Sequence, residues 1–207
     1  MSAKDLVQII DDDDALRDSL TFLLSSAGIE AKSYESAGAY LNDPQRGAAG
    51  CIITDVRMPG MSGIDLLRKL KSDGVSLPVI VMTGHGDVPL AVEAMKLGAF
   101  DFIEKPFDDD ALLASVRGAL GVQEKHSRVE SQRQDIENRL TQLSTRERQV
   151  LDGLVAGQAN KVIAYELGIS PRTVEIYRAN VMTKMQANSL SDLVRMALVT
   201  GTLKGED

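Results

Sequence analysis

Cys51-Ile52-Ile53-Thr54-Asp55-Val56-Arg57-Met58-Pro59-Gly60 is the stretch on which the fold turns. A short apolar run ends on a carboxylate and passes at once into a Pro-Gly turn, as a buried strand does when it delivers a side chain to the edge of a sheet. The same arrangement recurs along the chain. Leu6–Ile10 leads to Asp11-Asp12, Val79–Met82 to Thr83, and Asp101–Glu104 to Lys105. Between these runs lie helical spacings: Leu16, Leu20, Leu23 and Leu24, then Leu66, Leu67 and Leu70. A third helix follows at Ala91, Val92 and Met95, with Pro89 in its first turn and Gly98 as its stop. Strand–helix alternation from Leu6 to Leu120 predicts a parallel sheet of five strands covered on both faces by five helices. The carboxyl ends of parallel strands converge on one edge, and ligands bind there.

Asp11, Asp12, Asp55, Thr83 and Lys105 would therefore share one pocket. The carboxylates offer hard oxygen ligands to Mg2+ (or Mn2+), with water in the remaining octahedral positions. The ion would neutralise charge as a phosphoryl group arrives in line on an Asp55 oxygen, so that positioning and electrostatics supply the catalysis. Thr83 would donate a hydrogen bond to the phosphoryl oxygens, and Lys105 would pair with them as a point charge. Taken alone, the run Asp11–Asp14 reads as a solvated loop. His85 and Arg57 each carry two readings: a group beside the phosphoryl site, or an ordinary loop side chain facing water.

Composition is that of a globular protein, with 43% apolar and 26% charged residues among 207. The single cysteine, Cys51, excludes a disulfide framework and reads as a small core residue in a reducing cytosol. The apolar runs fall far short of the roughly 20 residues of a membrane span. No charged-then-apolar leader opens the chain. The expected location is cytoplasmic, with no membrane partner. The net charge of −7 argues against nucleic acid until it is divided. Residues 1–122 carry 11 Lys+Arg against 19 Asp+Glu, a net of −8. Residues 141–204 carry 8 against 5, a net of +3, so that only this second part could approach DNA without strong repulsion.

Residues 122–142 are polar and lack Pro and Gly, which reads as a helical linker. Val122, Val129, Ile136 and Leu143 recur every seven residues, but the companion positions Lys125, Gln132 and Arg139 are polar. The stripe is half a coiled-coil seam, open to reading as a solvated linker or as a weak dimerising helix. From Ser144 onward the pattern is all helical. Ser144 and Glu147 have capping-box spacing, and Val150, Leu151, Leu154 and Val155 share one face before Gly157. A second helix covers about 160–167 and stops at Gly168. Ser170 then caps a third with Pro171 at its first position, and a fourth covers about 190–200. The second and third have helix-turn-helix proportions. Along the third, Arg172, Glu175, Arg178 and Lys184 leave the apolar face of Val174, Val181 and Met185. Arg can read guanine, Glu can accept from cytosine, and Lys can hold phosphate.

The ordered set Asp11-Asp12, Asp55, Thr83, Lys105-Pro106 resembles the receiver domain of bacterial two-component response regulators over about residues 5–120. The resemblance implies a flavodoxin-like α/β domain with strand order 2-1-3-4-5. It implies Asp55 as phosphoacceptor, Asp12 and Asp55 as direct Mg2+ ligands, Asp11 acting through water, and the backbone carbonyl of Arg57 completing the set. Thr83 and Phe102 resemble the family's hydroxyl–aromatic switch pair, although Phe102 lacks the hydroxyl of the Tyr often found there. A cis bond at Lys105-Pro106 is also implied.

Leu143–Glu147, Asn160–Ala164, Ser170–Glu175 and Lys184–Ala187 resemble the LuxR-type helix-turn-helix, a four-helix domain. Together the two halves are identified as a member of the NarL/FixJ class, and the runs Met82–Lys96, Lys105–Phe107 and Tyr177–Ser189 resemble its FixJ branch. The implied layout is a receiver at 1–121, a helical linker at 122–142 and the DNA-binding domain at 143–207. Implied DNA contacts fall at Lys161, Thr173, Glu175, Ile176, Arg178, Ala179 and Lys184, with Arg172 and Arg178 sharing base preference because Ala179 replaces a commonly basic residue. The implied partners are a sensor histidine kinase, double-stranded promoter DNA, RNA polymerase and a second copy after phosphorylation. The expected role is a transcriptional activator, with no enzymatic turnover beyond its own phosphoryl transfer and dephosphorylation. A rival reading keeps DNA binding and makes the receiver a phosphorylation-independent interaction domain, against which the intact acidic pair, Thr83 and Lys105 argue.

Overall fold

The structure, a computed structural model, describes residues 6–46, 50–84 and 88–201. Its strands are β1 (Leu6–Ile10), β2 (Glu30–Tyr34), β3 (Cys51–Asp55), β4 (Val79–Thr83) and β5 (Asp101–Glu104). They pair in parallel in the order β2-β1-β3-β4-β5. The helices are α1 (Asp14–Ser26), α2 (Ala37–Asn42), α3 (Gly63–Ser72), α4 (Val88–Lys96) and α5 (Asp109–Thr141), then α6 (Thr145–Val155), α7 (Asn160–Leu167), α8 (Pro171–Met185) and α9 (Leu190–Val199). Among the described residues no helix is long and apolar enough to cross a membrane.

Strand residues alternate between two apolar layers, as the period-two pleat requires. Val7, Ile9, Cys51, Ile53, Ile80 and Met82 face one layer with Leu20 and Leu24 of α1 and Leu112 and Val116 of α5. Ile10, Ile52, Val79 and Val81 face the other with Tyr40 of α2, Leu66, Leu67 and Leu70 of α3 and Ala94 of α4. Because β3 and β4 are buried on both faces, they read as unbroken apolar runs.

The chain divides into two compact units, Met1–His126 and Ser127–Asp207, and the division falls inside α5. The stretch expected as a helical linker at 122–142 is helical through Thr141, where it continues the helix that begins at Asp109. Its seven-residue stripe also splits. Val122 and Val129 are exposed, whereas Ile136 and Leu143 pack into the core of the second unit. In α4 the apolar face differs from the one the spacing suggests. Ala94 is buried and Leu90 and Leu97 pack beside it, while Val92 and Met95 face solvent.

The second unit is the expected four-helix arrangement of α6–α9, with Val150, Leu151, Leu154, Val174, Val181, Met185 and Leu193 in its core. Ser144 and Glu147 form the full capping box on α6. Ser170 caps α8 ahead of Pro171, and Gly168 ends α7 at φ 65°.

Candidate functional site

Asp11, Asp55, Thr83 and Lys105 meet at the carboxyl ends of β1, β3, β4 and β5. Asp11 and Thr83 are each 1% exposed and Asp55 is 7% exposed. The Lys105 ammonium donates to Asp11 Oδ2 at 2.9 Å and also to Asp55 Oδ1. The other Asp55 oxygen accepts the Arg57 backbone N–H at 2.6 Å, and Asp11 Oδ1 accepts that of Asp13 at 2.9 Å. Asp13 in turn caps α1, which fixes the turn carrying Asp11 and Asp12. Lys105 is held by its own backbone as well. Its N–H donates to the Thr83 carbonyl at 2.7 Å, and the Lys105-Pro106 bond is cis, as expected.

Burial pushes the Asp55 carboxyl up, and the Lys105 hydrogen bond pulls it back without cancelling the effect. For Lys105 burial is the largest influence and pulls down, but the hydrogen bonds and charges of Asp55 and Asp11 together hold the ammonium above its ordinary value. A desolvated carboxylate pair of this kind demands positive charge. Asp12 is exposed and lines a cleft of about 660 Å3 with Arg57, Met58, Ser62 and Leu90. Asp11, Asp12 and Asp55 offer carboxylate oxygens of the kind Mg2+ takes, although among the described residues no three His, Cys, Asp or Glu side chains are gathered closely enough to hold a metal ion. Phe102 is half-buried on β5 against the layer that holds Val81 and Ala94. His85 lies outside the described residues.

Two residues that shape this site escape sequence reading. Gly63 opens α3, and a Cβ there would run into the Asp55 carbonyl. Arg17 donates from Nη1 to the Asp11 carbonyl at 2.7 Å and pairs with Asp14. The signal available for Arg17 was its spacing of three from Asp14; nothing in the pattern marks Gly63.

In the second unit, Arg172, Glu175, Ile176 and Ala179 share the exposed face of α8, and Ile176 is 57% exposed. Lys161 is exposed on α7. Thr173 and Arg178 are half-buried, and the Thr173 hydroxyl lies 2.8 Å from that of Ser170. Asn180 and Thr183 extend the exposed face at spacings of four and seven from Ile176, and both were missed although that spacing could have found them. The Lys184 ammonium, another of the implied DNA contacts, is bound to Glu147 Oε2 at 2.6 Å and to the Gln142 carbonyl at 3.3 Å, and its side chain stays 38% exposed. The Lys184 hydrogen bond, and after it the Ser144 backbone N–H, hold the Glu147 carboxyl down at about 2.

Residues 7–117 match the response regulator receiver domain, and residues 141–197 match the luxR family of bacterial regulatory proteins. The chain belongs to the two-component response regulators of the NarL/FixJ class, in which a receiver precedes a LuxR-type DNA-binding domain. Within that class it is similar to the transcriptional regulatory protein FixJ. It is 60% identical to that of Azorhizobium caulinodans over 201 residues, which is 97% of this chain and 95% of the relative. It is 55% identical to that of Bradyrhizobium diazoefficiens over 203 residues, covering 98% and 99%. Among solved structures, a low-resolution structure of the response regulator StyR matches with a TM-score of 0.85 at 38% identity, covering 93% of this chain and 98% of that one. Full-length FixJ from B. japonicum matches with a TM-score of 0.59 at 55% identity, covering 98% and 100%.

Proposed function

We propose that this FixJ-like DNA-binding regulator is switched by phosphorylation of Asp55 from a sensor histidine kinase. The observation that carries the reading is the convergence of Asp11, Asp55, Thr83 and Lys105, with the Asp55 oxygens already pinned by Lys105 and the Arg57 N–H. An Asp55 oxygen attacks the phosphorus of a phosphohistidine, the P–N bond breaks, and the imidazole stays with the kinase. Asp11, Asp12, Asp55 and the Arg57 carbonyl would hold Mg2+, which supplies charge neutralisation for the transferring group. Lys105 exchanges part of its pairing with Asp55 for the phosphoryl oxygens, and Thr83 donates its hydroxyl to them.

The output follows from a shift between receiver states. Thr83 turns toward the phosphoryl group and Phe102 inward, altering the α4–β5 face. The exposure of Val92 (48%) and Met95 (49%) on α4 supports homodimerisation there. On DNA, the exposed Leu198 and Val199 of α9 support pairing of the second units, with half-sites about one helical turn apart. The α8 face of Arg172, Glu175, Ile176 and Ala179, with Thr173, Arg178 and Lys161 beside it, then meets promoter DNA. Activation proceeds through contact with RNA polymerase in the cytoplasm.

Phosphate-affinity gel mobility of the wild type and Asp55→Asn, each with acetyl phosphate and Mg2+, tests this. A shifted band in the wild type alone is expected. A shift in both moves the acceptor elsewhere, and none in either leaves a regulator run by dosage or partner binding.

A further inference from the structure

The last turns of α5 lie outside the stretch that matches the luxR family at 141–197, yet they are built into the second unit. Ile136 and Leu140 line the same apolar interior as Leu151, Met185 and Leu193. Polar pins cross in both directions at the C-terminal end of α8. From α5, Arg139 Nη1 donates to the Met185 carbonyl at 3.0 Å. From α8, the Lys184 ammonium donates to the Gln142 carbonyl just past the end of α5 at 3.3 Å, and to Glu147 of α6 at 2.6 Å. Asp135, one turn before Arg139, holds the other end of the guanidinium at 2.5 Å.

A helix leaves its last carbonyls without intrahelical partners, and a cation there is favourable both as donor and against the helix dipole. Arg139 fills that role for α8 from another helix. A guanidinium suits it because one nitrogen can stay on Asp135 while another reaches the carbonyl. The opposite end of α8, with Arg172 and Glu175 on its outer face, is the end a helix-turn-helix presents to base edges. Rotating or tilting α8 about its C-terminal end would displace those side chains from the groove, and base readout tolerates little misplacement.

We propose that Arg139 is a positioning residue for DNA recognition: its bond to the Met185 carbonyl fixes the aim of α8, so that sequence-specific affinity depends on a side chain outside the helix-turn-helix. The proposal rests on the reading of α8 as the recognition helix. It gives the polar companion position of the seven-residue stripe a role that neither a solvated linker nor a dimerising seam supplies.

The test uses the full chain treated with acetyl phosphate and Mg2+. The probes are a duplex that the wild type selects from a random library and a scrambled duplex of the same composition. Arg139→Met keeps the stem and removes the guanidinium; Arg139→Lys keeps one donor for the carbonyl. For Arg139→Met the ratio of selected to scrambled affinity should fall about ten-fold, with scrambled binding and the salt slope unchanged, because no phosphate contact is lost. Arg139→Lys should keep most of the ratio. An unchanged ratio in Arg139→Met overturns the proposal, as does an equal fall in Arg139→Lys. A salt slope lowered by about one would mean that Arg139 touches phosphate itself, and also overturns it. If Arg139→Met fails to fold, by circular dichroism and melting, Arg139→Lys decides: a kept ratio supports the proposal and a ten-fold fall overturns it. Glu175→Ala and Arg172→Ala guard the premise. If both bind the selected duplex like wild type, it is the recognition-helix reading that falls.

Discussion

Tyr40 is fully buried in the receiver core, edge-on to Tyr34 with ring centroids 5.3 Å apart, yet among the described residues its hydroxyl has no hydrogen-bond partner. Burial, then the neighbouring Tyr34, push its phenol up to about 12, so it stays neutral at any ordinary pH. An unpaired buried hydroxyl costs about 1–3 kcal/mol, whereas deleting it leaves an apolar ring in an apolar site. Tyr40→Phe should therefore leave stability unchanged or raise it by about 1 kcal/mol, read from the urea midpoint. A loss of that size would mean that the hydroxyl binds a buried water. Glu147 makes the opposite case, since its carboxylate is engaged by Lys184 and by the Ser144 N–H. Its folded value of about 2 lies below the ordinary 4.5, so its stabilisation is present above 4.5 and is lost as pH falls toward 2. Melting the wild type and Glu147→Gln across that window should show the variant less stable at neutral pH and the difference vanishing in acid. A constant difference would show that the side chain acts through packing alone.

At the scale of elements, α8 ends on Gln186 in the left-handed conformation at φ 54°, which is uncommon for a residue with a Cβ. Gln186→Gly should raise the stability of the second unit by about 1 kcal/mol, measured by denaturant unfolding. Destabilisation would mean that the Gln side chain contributes a contact worth more than the backbone strain. Most elements were legible because each repeats its chemistry locally: β3 and β4 are unbroken apolar runs, and α6 and α8 announce their starts with Ser144–Glu147 and Ser170-Pro171. The misreadings have equally local causes. The sequence Val88–Lys96 is apolar nearly all round, so its spacing does not choose between Val92 and Met95 and the stripe of Leu90, Ala94 and Leu97 that the sheet selects. Residues 130–135 of α5 carry no apolar residue, so periodicity vanishes where the helix simply continues. The convergence of Asp11, Asp55, Thr83 and Lys105 was legible because each of these groups stands at the end of its own strand. The engagement of Lys184 was not, because its partner Glu147 lies 37 residues away in sequence.

For the whole molecule the decisive quantity is how charge is shared between the two units. Residues 1–126 carry 12 Lys+Arg against 20 Asp+Glu, a net of −8, while residues 127–207 carry 11 against 10, a net of +1. The second unit encloses its own apolar core, including Ile136 and Leu140 from α5, so a fragment of 127–207 retains the helices that core requires. Sequence-independent DNA affinity is set by phosphate electrostatics and is weakened by any like charge the protein carries with it. The fragment should therefore bind a random-sequence duplex more tightly than the intact unphosphorylated chain at low salt. Screening erases the difference, because charges more than about 8–10 Å from the DNA drop out near physiological ionic strength. Titrating both proteins from about 50 to about 300 mM NaCl should bring the two affinities together while each falls along its own slope. If the gap persists undiminished at high salt, the receiver restrains the DNA-binding unit by contact rather than by charge. The acidic −8 would then belong wholly to the phosphoryl site and the receiver surface.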